Sequence, residues 1–386
     1  MKARAKSSDS SLHGGSTPSR AEITKSLDDG LFELIGEHHH EQVSVWSDVP
    51  AGYRGVIAIH NTTLGPALGG TRMWQYQNDL EALIDVLRLS RGMTYKAALA
   101  GLNLGGGKSV IVGDPNAKRR EPIFRAHGRH VQSMCGRYIT AEDVGTSPGD
   151  MEFIRQETDH VVGLTGRSGD PSPVTALGVY RGMQACAKVA YGSDSLAGKT
   201  VTVQGTGHVG YYLCKHLHED GAKLIVSDID NDKVRRVVEE FGAVAVAPRD
   251  IYGADADIFA PCALGAVIND DTIPVLKVSI IAGAANNQLE HERHGDILHE
   301  RGVIYAPDYA VNAGGLINVN AEVEGWSLAR SHKKASEIYD TILRVLQLAS
   351  DQGIATYRAA DKLAEQRIAE AGVKKAKSPK KAKKRK

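Results

Sequence analysis

The sequence predicts a two-domain α/β protein, and three observations carry that prediction. Candidate strands and helices alternate through the first half of the chain and again through the second, the pattern of sheets layered with helices. From Thr200 the chain reads as strand, glycine-rich turn, helix and second strand, the frame of an open parallel sheet. Between the halves, glycine, serine and proline cluster in VGLTGRSGDPSP, ending at Pro173, which marks a hinge or domain boundary. At 386 residues the chain is long enough for two cores, each of ordinary domain size.

In chain order, residues 1–24 are rich in Ser, Gly and Lys and are expected to be a disordered arm. A short helix over 23–35 and strands over 42–46 and 55–60 follow. In NTTLGPALGGTRMW, Gly65, Pro66, Gly69 and Gly70 predict turns that expose backbone N–H groups. Apolar residues at Leu80, Ala82, Leu83, Val86, Leu87, Leu89 and Met93 predict a helix over 79–100. A strand over 109–112, a helix over 123–135 and a strand over 137–140 complete this half. The second half shows a helix over 174–191, strands over 200–204, 224–228, 243–247, 258–262 and 278–282, and a helix over 234–241. Amphipathic helices over 339–347 and 357–369 close the body. The expected domains are therefore 25–165, completed by helices at 345–372, and a doubly wound domain at 166–344.

Composition excludes several classes. No apolar run approaches the roughly 20 residues that span a bilayer, and the N-terminus lacks an apolar signal core, so a cytoplasmic protein is expected. Cys135, Cys186, Cys214 and Cys262 are widely spaced and suggest neither a disulfide framework nor a zinc site. His38, His39 and His40 are adjacent on one segment and point different ways, so a solvated segment is expected and no metal is assigned. The formal net charge of +1 conceals an asymmetry. KKAKSPKKAKKRK at 374–386 holds nine of the 47 basic residues, leaving 38 against 46 acidic ones, a net of −8 for the remainder. A tail over 373–386 of this kind is expected to be disordered, and nucleic acid would be contacted through it alone.

The chemistry concentrates in VLRLSRGMTYKAALAGLNLGGGKSVIVG at 86–113, which contains Lys96, Lys108 and no acidic residue. A lysine in apolar surroundings without a neighbouring carboxylate loses hydration of its charged form, and its pKa falls from roughly 10 toward neutrality. One amine to hold a substrate and one to react is the functional reading; surface lysines flanking a turn is the plain one. Gly105, Gly106 and Gly107 let the backbone before Lys108 turn sharply and approach a small molecule. Gly69 and Gly70 offer N–H groups to a carboxylate, or form a tight turn. Asp143 follows a strand and precedes a glycine loop, where a catalytic side chain or a turn aspartate is expected.

Gly205, Thr206, Gly207, His208, Val209 and Gly210 form G-x-G-x-x-G between a strand and a helix, and Asp228 lies 23 residues after the first glycine. In that frame the glycines and the helix N-terminus accept a pyrophosphate, and Asp228 takes ribose hydroxyls and repels a 2′-phosphate, so NAD is the expected cofactor. Asp230 strengthens the charge argument. Asn286 and Asn287 fall at a strand end, where they bond cofactor or substrate or form an Asx-turn. In APDYAVNAGGLINV, Asn312 precedes a helix that places Leu316 and Val319 on one face.

LGPALGGTRMW, GMTYKAALAGLNLGGGKSV, YITAEDVG, GDPSPVTALGVY, GTGHVG, APCALGA, AANNQL and APDYAVNAGGLINV, in unbroken order over roughly 35–370, resemble the glutamate, leucine, valine and phenylalanine dehydrogenases. The resemblance implies a Rossmann-type cofactor domain after a substrate and oligomerisation domain. It gives Lys96 the substrate carboxylate, with backbone at Gly69 and Gly70, gives Lys108 the activation of water, and gives Asp143 the proton transfers at nitrogen. Thr175, Asn287 and Asn312 would seat nicotinamide and substrate. Leu68 stands where glutamate enzymes place a lysine, and with Ala141, Leu316 and Val319 would form an apolar pocket. The implied reaction is NAD-dependent oxidative deamination of branched-chain amino acids (leucine, also valine and isoleucine) by a homo-oligomer, commonly an octamer. Phenylalanine dehydrogenase and a non-catalytic NAD-binding regulator with a nucleic-acid-binding tail are the alternatives.

Overall fold

The computed structural model describes residues 31–37, 39–166 and 169–377. The expected arm, most of the helix placed at 23–35 and tail residues 378–386 lie outside these. A first helix α1 (Leu31–Glu37) leads into β1 (Gln42–Asp48), β2 (Tyr53–Asn61) and β3 (Ala67–Trp74). Helix α2 (Asp79–Leu99), β4 (Gly105–Val112), α3 (Arg120–Ser133), β5 (Tyr138–Glu142) and α4 (Pro148–Arg155) complete the first half. Its sheet runs β1-β2-β4-β3-β5, with β1, β2 and β4 antiparallel neighbours and β3 parallel to both β4 and β5. Helix α2 starts where Asn78 accepts the Glu81 N–H, with Asp79 and Glu81 in its first turn, an arrangement that suits the N-terminal dipole.

The glycine pairs overturn the turn reading. Gly69 and Gly70 lie inside β3, in register with Thr140 and Ala141 of β5, and Gly105, Gly106 and Gly107 open β4; all five are buried. Here glycine serves close approach rather than chain reversal. A Cβ at Gly69 would stand 1.7 Å from the Gly107 carbonyl oxygen, and one at Gly106 would stand 2.1 Å from the Thr94 backbone nitrogen. The β3–β4 register holds at Leu68 and resumes at Thr71, lapsing opposite Gly107 and Lys108.

The second half begins with α5 (Ser172–Tyr191), followed by β6 (Thr200–Gln204), α6 (His208–Glu219), β7 (Lys223–Ser227), α7 (Asn231–Phe241) and β8 (Val244–Ala245). After β9 (Ile258–Pro261) and β10 (Ile280–Ile281) come α8 (Glu292–Glu300) and β11 (Ile304–Tyr305). These six strands form one parallel sheet in the order β11-β10-β9-β6-β7-β8. The order reverses beside β6, which makes the carboxyl ends of β6 and β9 the switch-point crevice. Helices α9 (Asp308–Val311), α10 (Gly314–Glu324), α11 (Leu328–Ser336), α12 (Ile338–Gln352) and α13 (Thr356–Lys377) follow.

Several expected strands are shorter than their apolar runs, and α4, α8, α11 and β11 were not anticipated, since Pro148 and polar residues mask the helical period. The tail expected from 373 is helical through Lys377, because the Lys/Ala sequence continues α13 with good helix formers. Helix α13 returns to the first half and packs on α2: Tyr95 donates to Glu365 at 2.8 Å, and Arg367 donates to the carbonyls of Ala98 and Leu102, each at 2.8 Å. Among the described residues no helix is long and apolar enough to cross a membrane.

Gly69→Ala is expected to cost more than about 3 kcal/mol in urea denaturation or to prevent folding, because backbone must move. Gly253→Ala, where a Cβ meets nothing within 4 Å, is expected to stay within about 0.5 kcal/mol of the parent. Equal stabilities for the two variants would contradict the strand packing described.

Candidate active site

The sheet order β4-β3-β5 sets Lys108, Arg72 and Asp143 on three consecutive strands or their ends. Lys108 projects from β4 with only 7% of its side chain exposed, and its Nζ lies 2.8 Å from Asp143 Oδ2. The absence of acids around Lys108 therefore holds only along the chain; the fold supplies a carboxylate from the end of β5. Asp143 is fixed from behind. Its N–H donates to Thr146 Oγ1 at 2.9 Å, and the Thr146 hydroxyl lies 3.0 Å from the Thr71 carbonyl. Burial alone would raise the Asp143 pKa, but Lys108 and the Arg72 guanidinium outweigh it and hold the pKa at about 2.

Lys96 stands in the last turn of α2 and reaches the second half of the chain, donating to Asn286 Oδ1 at 3.2 Å. Desolvation lowers its pKa to about 8, against the opposing pull of the Asp308 carboxylate. Asp308 is buried, which raises its own pKa, with Lys96 acting the other way. Asn286 in turn accepts from Asn312 Nδ2 at 2.8 Å, and Asn312 Nδ2 also donates to the Ala284 carbonyl. Asn287 adopts φ +50 beside them. The strand-end asparagines thus tie the cofactor-side sheet to the lysine of the other half. Thr175 belongs to the same region: its hydroxyl donates to the Pro171 carbonyl at 2.9 Å, and a Cβ at Gly315 would stand 3.1 Å from its oxygen.

At the switch point, Gly205 ends β6 at φ +96, a conformation that favours glycine. A Cβ at Gly210 would stand 2.0 Å from the Gly205 oxygen, whereas one at Gly207 would meet nothing within 4 Å. The first and third glycines therefore close the turn against α6, and Gly207 alone faces open space, which fits a dinucleotide pyrophosphate at the α6 N-terminus formed by His208, Val209 and Gly210. Asp228, just beyond β7, accepts the Thr206 N–H at 2.8 Å and the Asp230 N–H at 3.0 Å. It is thereby oriented beside the glycine turn. Asp230 does not reinforce it: its carboxylate caps α7 and pairs with Lys233 at 3.2 Å.

Leu68, Ala141 and Leu316 are buried in one contiguous apolar cluster, and Val319 packs against its edge. Asp270, Glu290 and His294 also gather, but Arg293 grips both Asp270 oxygens and His294 Nδ1 accepts the His291 N–H. That group is an ion-paired helix cap. The sequence reading missed Arg72, Asp85, Tyr76 and Asp308. Leu68, Gly70 and Arg72 share one face of β3 by the period of two, a signal hidden by the turn assigned to Gly69 and Gly70.

Residues 40–160 match the model of the Glu/Leu/Phe/Val dehydrogenase dimerisation domain, and 166–233 with 226–377 match that of the Glutamate/Leucine/Phenylalanine/Valine dehydrogenase domain. The chain belongs to this amino-acid dehydrogenase family. It is 60% identical to the leucine dehydrogenase of Geobacillus stearothermophilus over 352 residues, which is 90% of this chain and 95% of that one. It is 60% identical to the leucine dehydrogenase of Bacillus subtilis (strain 168) over 341 residues, covering 88% and 94% of the two chains. The crystal structure of L-tryptophan dehydrogenase from Nostoc punctiforme matches with a TM-score of 0.81 at 48% identity, over 88% of this chain and 99% of that one.

In this dehydrogenase the neutral amine of Lys96 is expected to be modified by trinitrobenzenesulfonate with a midpoint near pH 8, when an ordinary lysine is under about 1% neutral. Peptide mass spectrometry across a pH series measures it, and a Lys96 midpoint near pH 10 would contradict the desolvation argument.

Proposed function

We propose that the chain catalyses the NAD-dependent, reversible oxidative deamination of branched-chain aliphatic L-amino acids, leucine foremost. The observation that carries this reading is the Lys108–Asp143 pair at 2.8 Å, set beside a second desolvated lysine that reaches the asparagines of the dinucleotide-binding half. Lys96, protonated, holds the substrate α-carboxylate against the Gly69–Gly70 stretch of β3, where pairing with β4 lapses. Gly70 has no Cβ to displace Asp143, whose own Cβ would lie 2.8 Å from it. Asn287, Asn312 and Thr175 orient the nicotinamide end and the substrate nitrogen across the cleft.

Asp143 takes a proton from the substrate ammonium and returns it to the leaving nitrogen. NAD held at the glycine turn and the strand-end asparagines would supply the hydride acceptor that converts the amino acid to an imino acid. Lys108, having released its own proton to solvent, removes one from the water that adds to the imino carbon. It then polarises the new carbonyl oxygen as ammonia leaves. Amino acid, water and oxidised cofactor give 2-oxo acid, ammonium, reduced cofactor and one proton, which leaves to solvent. Asp228 meets the adenosine ribose and disfavours a 2′-phosphate.

The pocket selects by what it lacks. A γ-carboxylate brought against Leu68, Ala141, Leu316 and Val319 would be desolvated without a partner, at a cost of several kcal/mol. The methyl group of the buried Ala141 narrows the room for an aromatic ring. Aliphatic substrates differ by a methylene, worth about 1 to 3 kcal/mol, so leucine, isoleucine and valine share the site. We further read 25–165 with the C-terminal helices as the substrate domain and 166–344 as the cofactor domain. Homo-oligomerisation is supported by the matched dimerisation-domain model and by the edge strand β1, which exposes Val45 and Trp46. Four free thiols suit a cytoplasmic enzyme.

NADH formation at alkaline pH is expected to be most efficient with leucine, isoleucine or valine, lower with phenylalanine and negligible with glutamate or with NADP; dominance of phenylalanine would overturn the pocket argument. Lys108→Ala is expected to lower kcat more than about a thousandfold while NADH binding, read by fluorescence, persists. Near-normal turnover in that variant would refute the assigned chemistry.

A further inference from the structure

The proton transfers assigned to Asp143 leave a second cation unexplained. Arg72 Nε donates to Asp143 Oδ2 at 3.2 Å, the same oxygen that Lys108 Nζ approaches at 2.8 Å. Among the described residues, no hydrogen bond reaches Asp143 Oδ1; both cation contacts are to Oδ2. The other side of the Arg72 guanidinium is occupied. Its Nη1 donates to Asp85 Oδ2 at 3.0 Å, and the Tyr76 hydroxyl donates to the same Asp85 oxygen at 2.6 Å. The side chains of Arg72 and Asp85 are 16% and 25% exposed, so the network lies mostly out of water, where charge–charge interactions are strong.

We propose that Arg72 is a positioning residue for proton transfer by Asp143, strung between Asp85 and the carboxylate oxygen that Lys108 also holds, so that Oδ1 is presented to the substrate nitrogen. The inference rests on the amino-acid dehydrogenase reading of the site. Geometry supports it in two ways. Arginine carries donors on both edges of a rigid plane, so anchoring one edge on Asp85 sets the angle at which the other meets Asp143. The four charges also balance: Lys108 and Arg72 against Asp143 and Asp85. When Asp143 is protonated and Lys108 is neutral, Arg72 and Asp85 remain a neutral pair, and no net charge is stranded in the cleft.

The groups that face Asp143 are Lys108 from β4, Arg72 from β3, Tyr76 just beyond β3, Lys96 from α2, and Tyr138 and Glu142 from β5 itself. Arg72 is the cation among them to which no substrate or water chemistry has been assigned. Removing its charge removes stabilisation of the anion, so the Asp143 carboxyl must titrate at higher pH. In the oxidative direction the Lys108–Asp143 pair must lose a proton before it can act on water, and without the Arg72 charge beside it the pair holds that proton to higher pH. The acid limb of the pH profile therefore moves up.

Arg72→Gln, Arg72→Lys and Asp85→Asn, compared with the parent by kcat, KM and the pH dependence of kcat/KM, test this. Arg72→Gln is expected to lower kcat by about ten- to a hundredfold and raise the acid limb by about one pH unit, with KM for NAD changed less than about twofold. Arg72→Lys is expected to restore the acid limb but only part of kcat. Asp85→Asn is expected to lower kcat without raising the acid limb, because the guanidinium loses its anchor and keeps its charge. Arg72→Gln with kcat within about threefold of the parent and an unmoved acid limb would overturn the proposal. So would a kcat loss that leaves the acid limb in place and is not relieved by Arg72→Lys, the mark of a merely structural role. If the parent turns over no amino acid, the dehydrogenase reading fails by itself. Infrared titration of the carboxylate band that Asp143→Asn removes then decides the contact between Arg72 and Asp143: an upward shift in Arg72→Gln supports it, and an unmoved band overturns it.

Discussion

The buried contact between Lys108 and Asp143 depends on how closely three strands approach. Lys108 is on β4, Asp143 follows β5, and β3 runs between them, so the two side chains meet across an intervening strand. That is possible because β3 presents glycine there. At Gly70 a Cβ would stand 2.8 Å from the Asp143 Cβ, and at Gly69 it would run into the Gly107 carbonyl. On the other side of β4, a Cβ at Gly107 would stand 2.7 Å from the Tyr138 ring. The glycines forgo the usual strand preference for branched and aromatic residues. In exchange they create the space in which two charged side chains meet.

Bringing cations and carboxylates together out of water has a cost that the site distributes. Burial moves Lys96 toward neutrality, to about 8, against the pull of Asp308, whereas Asp143 sits against two cations and stays ionised down to about 2. The result is division of labour by environment rather than by residue type. An easily deprotonated lysine and a firmly ionised carboxylate thus stand in one site.

Much of this was legible in the chain, for reasons that differ by feature. The cofactor half was read well because β6, the glycine turn, α6 and Asp228 follow one another, and local sequence dictates their contacts. Lys96, Lys108 and Asp143 were singled out individually, but the ion pair between the last two joins residues 35 apart in sequence and follows from sheet order alone. Gly69, Gly70 and the GGG before Lys108 misled the reading, because glycine marks a turn far more often than a crowded strand. Arg72 was lost by the same error: once β3 was broken into turns, nothing placed Arg72 on the face of Leu68. Asp230 looked like a second ribose acid until its role as the α7 cap was seen.

The last link concerns the precision of Lys96. Its amine reaches Asn286 in the other half of the chain, yet it stands in the final turn of α2, where helical N–H donors run out. There the Gly101 and Leu102 N–H groups bond the Ala98 and Ala97 carbonyls, and the C-terminal helix adds a second donor to each from more than 260 residues away in sequence. Arg367 donates to the carbonyls of Ala97, Ala98 and Leu102, with Tyr95 bonded to Glu365 one turn earlier. Helix α13 also accepts the Tyr309 hydroxyl on Asp361 at 2.6 Å, so one helix grips α2 and α9 together. Asp308, the buried acid that opposes the desolvation of Lys96, lies next to Tyr309 in α9. The return of the chain over its own first domain thus fixes the position of the lysine and the distance to the charge that tunes it.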